Sequence, residues 1–212
     1  PMVLTIANVR PKGICGSGLI TMVATLFELG VIDPMGKYRR DLNTPRIREG
    51  ESVWEYVVAW QSETQIDRDI VLTEIDIENL IRAKGAMYSG YMTLLAEVGL
   101  SIQDLEQIIL AGGFGSYVDL EKAMTIGLLP EVDPNKVIFV GNGSLMGCKM
   151  SALTNRIRRD VVDTLRKMTN FELSETPSYM DNYVASLFLP HTDMSQFPRL
   201  HRRLEQRKVQ LQ

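Results

Sequence analysis

Apolar and polar positions recur along the chain with the periods of helices and strands. From 19 to 27 the apolar residues are spaced three and four positions apart, which predicts a helix that ends at Gly30. The same spacing from 77 to 98 predicts a much longer helix. Thr73 and Asp76 precede it with the spacing of a capping box, so this is the strongest helix prediction in the chain.

Short runs of apolar and β-branched residues predict strands. Residues 3–9, 53–58 and 70–72 have this composition. The polar residues 61–69 separate the last two runs and predict a hairpin loop.

Two similar units follow in the second half of the chain. Residues 107–111 and 136–140 predict buried strands, and each runs into a glycine-containing turn. A helix is expected after each turn, near Asp119 and as one long helix from 144 to 161. This order is typical of parallel strands joined by a right-handed crossover, so we predict an α/β fold with ligands at the carboxyl ends of the strands.

Composition and charge narrow the function classes. Hydrophobic residues make up 45% and charged residues 23%, which excludes disordered and collagen-like chains. The net charge of -3 argues against binding nucleic acid or an anionic membrane through bulk charge. No apolar run reaches the ~20 residues of a membrane span and no signal peptide opens the chain, so we expect a cytoplasmic protein.

The metal-ligating residue types are few. Cys15 and Cys148 lie far apart, which excludes a disulfide framework, a thiolate zinc site and a four-cysteine cluster within this chain. The two histidines, His191 and His201, lie together near the end of the chain. We therefore predict no metal site here. The carboxylates Asp67, Asp69, Glu74 and Asp76 are interpreted as capping or solvated groups, with a metal-linked or general-base role as the alternative.

Three glycine-rich turns precede helices, at 13–18, 112–115 and 141–143. Glycines allow backbone N–H groups to approach a ligand closely, and a helix N-terminus attracts phosphate. None of the turns has the lysine of a Walker-type loop, so that ATPase class is excluded. Each turn alone is also compatible with a tight strand-to-helix connection, and this alternative stays open.

Lys84 lies within the apolar stripe of the long helix. A lysine there can extend its amine to the rim of a core, or it can face a pocket that contains a polar ring or an anion. Cys15 is interpreted as a small buried residue, with a thiol of lowered pKa at a helix N-terminus as the alternative. Cys148 is interpreted as a residue of a helix core.

Five long motifs occur in a fixed order, at 13–20, 83–90, 110–115, 126–130 and 140–145. In this order they closely resemble the C-terminal part of the reductive activators of corrinoid proteins. The resemblance covers nearly the whole chain up to Pro190.

The resemblance implies an actin-like ATPase fold of the ribonuclease H-like type, shared by sugar kinases, 70-kilodalton chaperones and actin. It implies that ATP or ADP binds with Mg²⁺, the adenosine lying at the Gly-Gly turn and flanked by a lysine of the long helix. Catalytic residues are left unassigned. The nucleotide-binding residues it implies are Gly112, Gly113, Phe114, Gly115, Lys84, Gly16, Ser17, Gly18, Gly141 and Asn142.

The function implied is the ATP-binding part of an enzyme that passes an electron from a 2Fe-2S cluster to the cobalt of a corrinoid protein. This Co(II)-to-Co(I) step serves anaerobic methyl transfer or O-demethylation. The partner implied is the corrinoid protein, and a homodimer is possible. The family's phosphate hairpin and its 2Fe-2S cysteines do not occur in this chain. Thr21 stands at a position where the family usually has an acidic residue.

We therefore expect a fragment, with residues 1–190 forming the C-terminal part of an actin-like ATPase domain and residues 191–212 forming a polar, basic tail with a frayed or peripheral helix. A non-catalytic docking or dimerisation module that binds the corrinoid protein is the alternative. A small-metabolite kinase of the same superfamily is the least favoured, because no substrate-binding group of carboxylates is evident.

Overall fold

The computed structural model describes residues 4–113 and 115–210, and it combines helices with two small sheets. The helices are α1 Gly16–Glu28, α2 Glu74–Glu97, α3 Leu120–Thr125, α4 Gly143–Leu153, α5 Asn155–Leu165, α6 Pro177–Ala185 and α7 Pro198–Gln210. The strands are β1 Ile47–Glu49, β2 Trp54–Ala59, β3 Ile70–Thr73, β4 Ile108–Ala111 and β5 Val137–Gly141. Short 3₁₀ turns lie at Ile6–Asn8, Gln61–Glu63, Ile102–Asp104, Gly115–Tyr117, Pro134–Lys136, Leu173–Glu175 and Met194–Gln196.

The first sheet is antiparallel, in the order β1-β2-β3. Strands β2 and β3 form the predicted hairpin, with Tyr56 opposite Leu72. Helix α2 begins directly after β3 at the predicted capping box: Thr73 Oγ1 accepts from the Asp76 N–H at 3.1 Å, and the Asp76 carboxylate accepts from the Thr73 N–H at 2.9 Å. These reciprocal bonds satisfy two backbone donors that would otherwise be unpaired at the helix start.

The main core lies where α1 and α2 pack with this sheet. Its buried residues come from α1, the connection to β1, the sheet, α2 and the C-terminal segment, and they include Val23, Ile32, Tyr38, Leu72, Ile77, Tyr88, Leu189 and Phe197. The polar connection between α1 and β1 thus contributes core residues, because Ile32 and Tyr38 pair in an isolated antiparallel bridge and turn inward.

The second sheet is the predicted parallel pair, with Ile109 opposite Ile138. Beneath it lies a smaller cluster around Ala123 and Met124 of α3, against which Ile108 and Leu110 of β4 pack. The prediction of two adjacent parallel strand–turn–helix units is confirmed. The opposite face of this sheet is open, since Ile109 is 61% exposed.

Two secondary-structure predictions are wrong. The described part of the first predicted strand, residues 4–9, forms a 3₁₀ turn with positive φ at Ala7 and Asn8, and none of the described strands pairs with it. The helix expected to run from 144 to 161 is divided at Thr154, where φ of −148° and ψ of 133° are extended and the side chain caps α5.

Helices α4 and α5 lie at the surface, and neither has a buried residue. Cys148 is exposed, so its interpretation as a core residue is wrong. Apolar side chains repeat along α4, but no described element packs closely enough to bury them; those most exposed on the two helices and just beyond are Leu145, Met146, Leu153, Leu165 and Met168.

The tail contains α7, and this helix is anchored rather than frayed. Leu200 is buried, and the Glu131 carboxylate accepts hydrogen bonds from the N–H groups of Arg199 and Leu200 at 2.7 and 3.0 Å. Arg203 adds an ion pair with Glu28 of α1 at 2.9 Å. The acidic group at the start of α7 also complements the helix dipole.

Across the described ranges, none of the helices has the length and apolar content needed to cross a membrane.

Candidate functional site

The glycine turns after β4 and β5 meet at one edge of the parallel sheet. Ala111 is in register with Gly141, and the Gly112 N–H donates to the Gly141 carbonyl oxygen at 2.6 Å. Both turns therefore lie at the carboxyl ends of neighbouring strands, as the sequence predicts, and this is where parallel α/β sheets bind ligands.

The backbone at this edge needs glycine and leaves space in front of it. Gly112 has φ of +108° and Gly141 has φ of +63°, in the range that side chains with a Cβ rarely adopt. Apart from the immediate chain neighbours, no atom of residues 4–113 and 115–210 would lie within 4 Å of a Cβ built on Gly112, Gly113 or Gly141. Two bare peptide turns thus face open space, which suits a flat ligand lying directly against the main chain.

The start of α4 completes this edge. The Asn142 side chain caps the helix, because its Oδ1 accepts from the Leu145 N–H at 3.0 Å. Gly143 packs closely on β4: a Cβ there would lie 3.4 Å from Ala111 Cβ. We call Gly112, Gly113, Gly141, Asn142 and Gly143 the paired-turn edge. Gly115 opens a 3₁₀ turn beside it, and Phe114 lies outside the described residues.

The third glycine turn lies elsewhere, at the start of α1. Gly16 is the first residue of this helix, and Cys15 is its N-cap, with Sγ accepting from the Gly18 N–H at 3.4 Å. Ser17 Oγ lies 3.5 Å from the same sulfur. Hydrogen bonding by Ser17 and Gly18 lowers the pKa of Cys15. The thiol is exposed, so the buried interpretation of Cys15 is wrong, because the helix start is at the surface.

This turn lines two cavities beside β3, of about 510 and 460 Å³. The second contains Arg68, Asp69 and Asp76 along with Gly16. Lys84 and the paired-turn edge do not occur among the described residues that line either cavity. The structure thus brings together two of the three predicted glycine turns and separates the third.

Lys84 is fully buried, with 0% of its surface exposed. Its Nζ donates to the carbonyl oxygens of Phe188 and Pro190, each at 2.6 Å. Burial lowers the pKa of Lys84 to about 7. The rim interpretation of this lysine is therefore wrong: its amine ends inside the protein on two backbone acceptors, which explains a lysine on an apolar face.

Two residues near Lys84 have roles that the sequence reasoning missed. Gly127 has φ of +73°, and a Cβ there would collide with the Pro190 carbonyl group. His191 is 8% exposed; its Nδ1 accepts from the Asp193 N–H at 3.0 Å, and its ring lies 5.2 Å from that of Tyr88. Gly127 lies within the fourth sequence motif, and that motif was the signal by which its role could have been found. For His191 the sequence gave no signal beyond the residue type.

No group of three or more acidic, histidine or cysteine side chains that could hold a metal ion occurs in residues 4–113 and 115–210. Mg²⁺ that accompanies ATP is usually held by the phosphates, by waters and by one or two carboxylates, so it does not need such a group. The two cysteines lie at separate places, Cys15 at the start of α1 and Cys148 in α4, and so do not suit a 2Fe-2S cluster.

Comparison with known proteins agrees with the resemblance seen in the motifs. The family model described as the C-terminal domain of RACo, the ASKHA domain, matches residues 1–201. A solved structure of a reductive activator for a corrinoid, iron–sulfur protein superposes with a TM-score of 0.86 and 47% sequence identity, over 92% of this chain and 31% of that one.

Two curated relatives have related names. The chain is 31% identical to the corrinoid activation enzyme RamQ of Eubacterium limosum over 186 residues, which cover 84% of this chain and 31% of the relative. It is 29% identical over 157 residues to a Co(II) methylated amine-specific corrinoid protein reductase of Methanosarcina barkeri. This match covers 74% of this chain and 25% of the relative. The chain thus spans between 25% and 31% of the length of these relatives.

Proposed function

The chain belongs to the family of reductive activators of corrinoid proteins, whose C-terminal ASKHA domain it matches, and from this premise we propose that it forms the ATP-binding part of such an activator. The observation that carries the proposal is the paired-turn edge. The hydrogen bond between Gly112 and Gly141 joins two glycine turns at one end of the parallel pair, and open space lies in front of both.

The proposed contacts follow from this geometry. The peptide groups of Gly112 and Gly113 would lie against the adenosine, since no atom among the described residues outside the immediate chain neighbours lies within 4 Å of a Cβ built on either glycine. Gly141 and Asn142 would line the same ligand from the neighbouring strand, near the N-terminus of α4. When bound, ATP supplies the free energy of its hydrolysis for an electron transfer that is otherwise uphill.

The chain's own contribution would be positioning. The hydrogen bond from the Gly112 N–H to the Gly141 carbonyl oxygen ties the two turns together, and glycine at both positions allows the positive φ values that this arrangement requires. Closure of the domain on the nucleotide would then change its affinity for the corrinoid protein, provided that the two ligands favour the same conformation.

Other parts of the activity would reside outside this chain. The cysteines for a 2Fe-2S cluster are proposed to come from outside this sequence, because Cys15 and Cys148 lie at separate places in the fold. The proposed reaction is the reduction of cobalt in a corrinoid protein from Co(II) to Co(I), with that protein as the partner.

Lys84 contributes to the proposed site indirectly, by holding the segment that contains Phe188 and Pro190. Direct contact between its amine and adenosine would require Nζ to leave the carbonyl oxygens of Phe188 and Pro190. The contact implied by the family resemblance therefore stays a prediction, and its cost is the loss of two buried hydrogen bonds.

One observation favours the alternative of a docking or dimerisation module. The face of the parallel pair opposite α3 is open, and α4 and α5, which follow β5 in the chain, bury no residue. Parallel sheets are normally covered on both faces, so another polypeptide segment or a second protein would cover this one.

A chimera tests the proposal. This chain replaces the corresponding part of the 47% identical reductive activator, and the reduction of the corrinoid protein is followed by absorbance with and without ATP. We expect ATP-dependent reduction, which the same activator lacking this part should not show. A folded chimera that never reduces cobalt contradicts the proposal. A chimera that binds the corrinoid protein equally well with and without nucleotide supports the docking alternative.

A further inference from the structure

An apolar cavity lies away from the paired-turn edge, between the C-terminal end of α1, the segment 188–194 and α7. It has a volume of about 690 Å³, within the range of small-molecule sites. Its walls are mainly apolar, and they include Phe27, Ile32, Phe188, Leu189, Met194 and Leu204. An apolar cavity of this size has room for a ligand with a hydrocarbon body.

His191 gives this cavity a buried polar group. The residue is buried, with 8% of its surface exposed, and its Nδ1 accepts a hydrogen bond from the Asp193 N–H. The ring proton therefore lies on Nε2, which has no hydrogen-bond partner among the described residues. Among the described residues, the Tyr91 hydroxyl is the one side-chain polar atom that is both fully enclosed and without a hydrogen-bond partner. His191 Nε2 is therefore not fully enclosed, and accessible space lies beside it.

The charge state of His191 is set by its surroundings. Burial, and then the nearby positive charge of Lys84, lower its pKa. The imidazole is thus neutral at pH 7 and offers a single N–H donor to a hydrogen-bond acceptor.

Glu28 and Glu205 are the acidic side chains that line the cavity, and each already has an interaction partner. Glu28 is held by Lys122 at 2.5 Å and by Arg203 at 2.9 Å. Arg207 lines the cavity without an ion pair to any described residue, and Arg39 lines it while pairing with the exposed Asp41. A ligand with an acceptor and a negative charge would complement this arrangement.

We propose that this cavity binds an apolar carboxylate of the medium-chain fatty-acid type. The hydrocarbon chain would pack on the apolar walls, and the carboxylate would accept from His191 Nε2 and from the Arg207 guanidinium. A carboxylate satisfies both the neutral donor and the cation, whereas an alcohol of the same length satisfies only a donor. The site is independent of the nucleotide proposal, because none of the residues of the paired-turn edge lines it.

The test uses decanoate and decanol as probes, titrated into the whole chain and followed by calorimetry and by the NMR signals of the His191 ring. We expect decanoate to bind more tightly than decanol and to shift the His191 signals. Arg207→Gln should weaken the binding of decanoate by about three- to tenfold and leave the affinity for decanol unchanged. Arg202→Gln, on the same helix but not lining the cavity, is the matched control and should change neither.

Met194→Trp fills the cavity and should abolish both interactions while circular dichroism shows that the fold is kept. The proposal is overturned if decanoate does not bind, if Arg207→Gln leaves its affinity unchanged, or if a folded Met194→Trp variant binds it normally. Equal affinity for decanoate and decanol would also overturn it, because the site would then select apolar surface alone.

Discussion

Lys84 Nζ lies 2.6 Å from the carbonyl oxygen of Pro190, a residue 106 positions further along the chain. The bond ties the middle of α2 to the segment that precedes α7. Gly127, which follows α3, packs on the same carbonyl group. One backbone position thus joins three parts of the fold, and the amine inside the core is the polar group that secures it.

Replacing Lys84 by methionine should therefore destabilise the protein. The apolar chain would fill the volume but would leave two buried carbonyl oxygens without donors, at a net cost of about 1–3 kcal/mol. Urea unfolding at pH 8 measures this cost. Lys149→Met on exposed α4 is the matched control and should change the free energy of unfolding very little. An unchanged stability of the Lys84 variant would contradict the structural role.

The same lysine should make stability depend on pH. Its pKa is about 7 when folded and 10.5 ordinarily, so the unfolded state binds more protons between these values. The free energy of unfolding should accordingly rise from pH 7 towards pH 10.5, relative to Lys84→Met, and stay constant below pH 7. Urea unfolding of both proteins across this range isolates the contribution of Lys84. A difference that shrinks with rising pH would contradict the assignment.

Cys15 should be more acidic than an ordinary thiol. The Ser17 hydroxyl and the Gly18 N–H stabilise its thiolate at the start of α1, where the helix dipole adds to the effect. We expect the pH midpoint of alkylation by iodoacetamide, followed by peptide mass spectrometry, to lie below ~8.5. Ser17→Ala should raise this midpoint. A midpoint that is unaffected by Ser17→Ala would show that the hydroxyl does not act on the sulfur.

Local signals in the sequence predicted much of the fold. The capping box at Thr73, the glycine stop at Gly30 and the parallel strand–turn–helix units all depend on residues close together in the chain. The division of the second helix at Thr154 was missed, since apolar spacing continues across it and the break comes from an extended backbone and a cap.

The site was less predictable, because it depends on which distant residues meet. The edge shared by Gly112 and Gly141 followed from parallel strand order alone. The separate position of the 13–18 turn could not, and neither could the partners of Lys84, which lie more than 100 residues away in sequence. Periodicity placed Lys84 on an apolar face, but only the packing of residues 188–190 explains its amine.

Gly113→Val is the cleanest probe of the nucleotide proposal. In the part of the chain that the structure describes, only its chain neighbours could lie within 4 Å of a Cβ built on Gly113, and Gly113, unlike Gly112, has no left-handed φ. Valine should therefore be tolerated with a change in unfolding free energy below about 0.5 kcal/mol. Its side chain would occupy the space assigned to adenosine. Thermal unfolding of the variant measures the first expectation, and a large loss of stability would mean that the turn is constrained by the fold itself.

The most direct test of the account is calorimetric titration of ADP into the chimera that carries this chain, with Gly113→Val beside Gly147→Val as the control glycine of α4. We predict that Gly113→Val weakens the binding of ADP by at least about tenfold. Gly147→Val should leave the affinity for ADP near that of the unmodified chimera. ATP should respond as ADP does, because the contact is with the nucleoside. Full ADP affinity in a folded Gly113→Val chimera would contradict the claim that this edge binds the nucleotide.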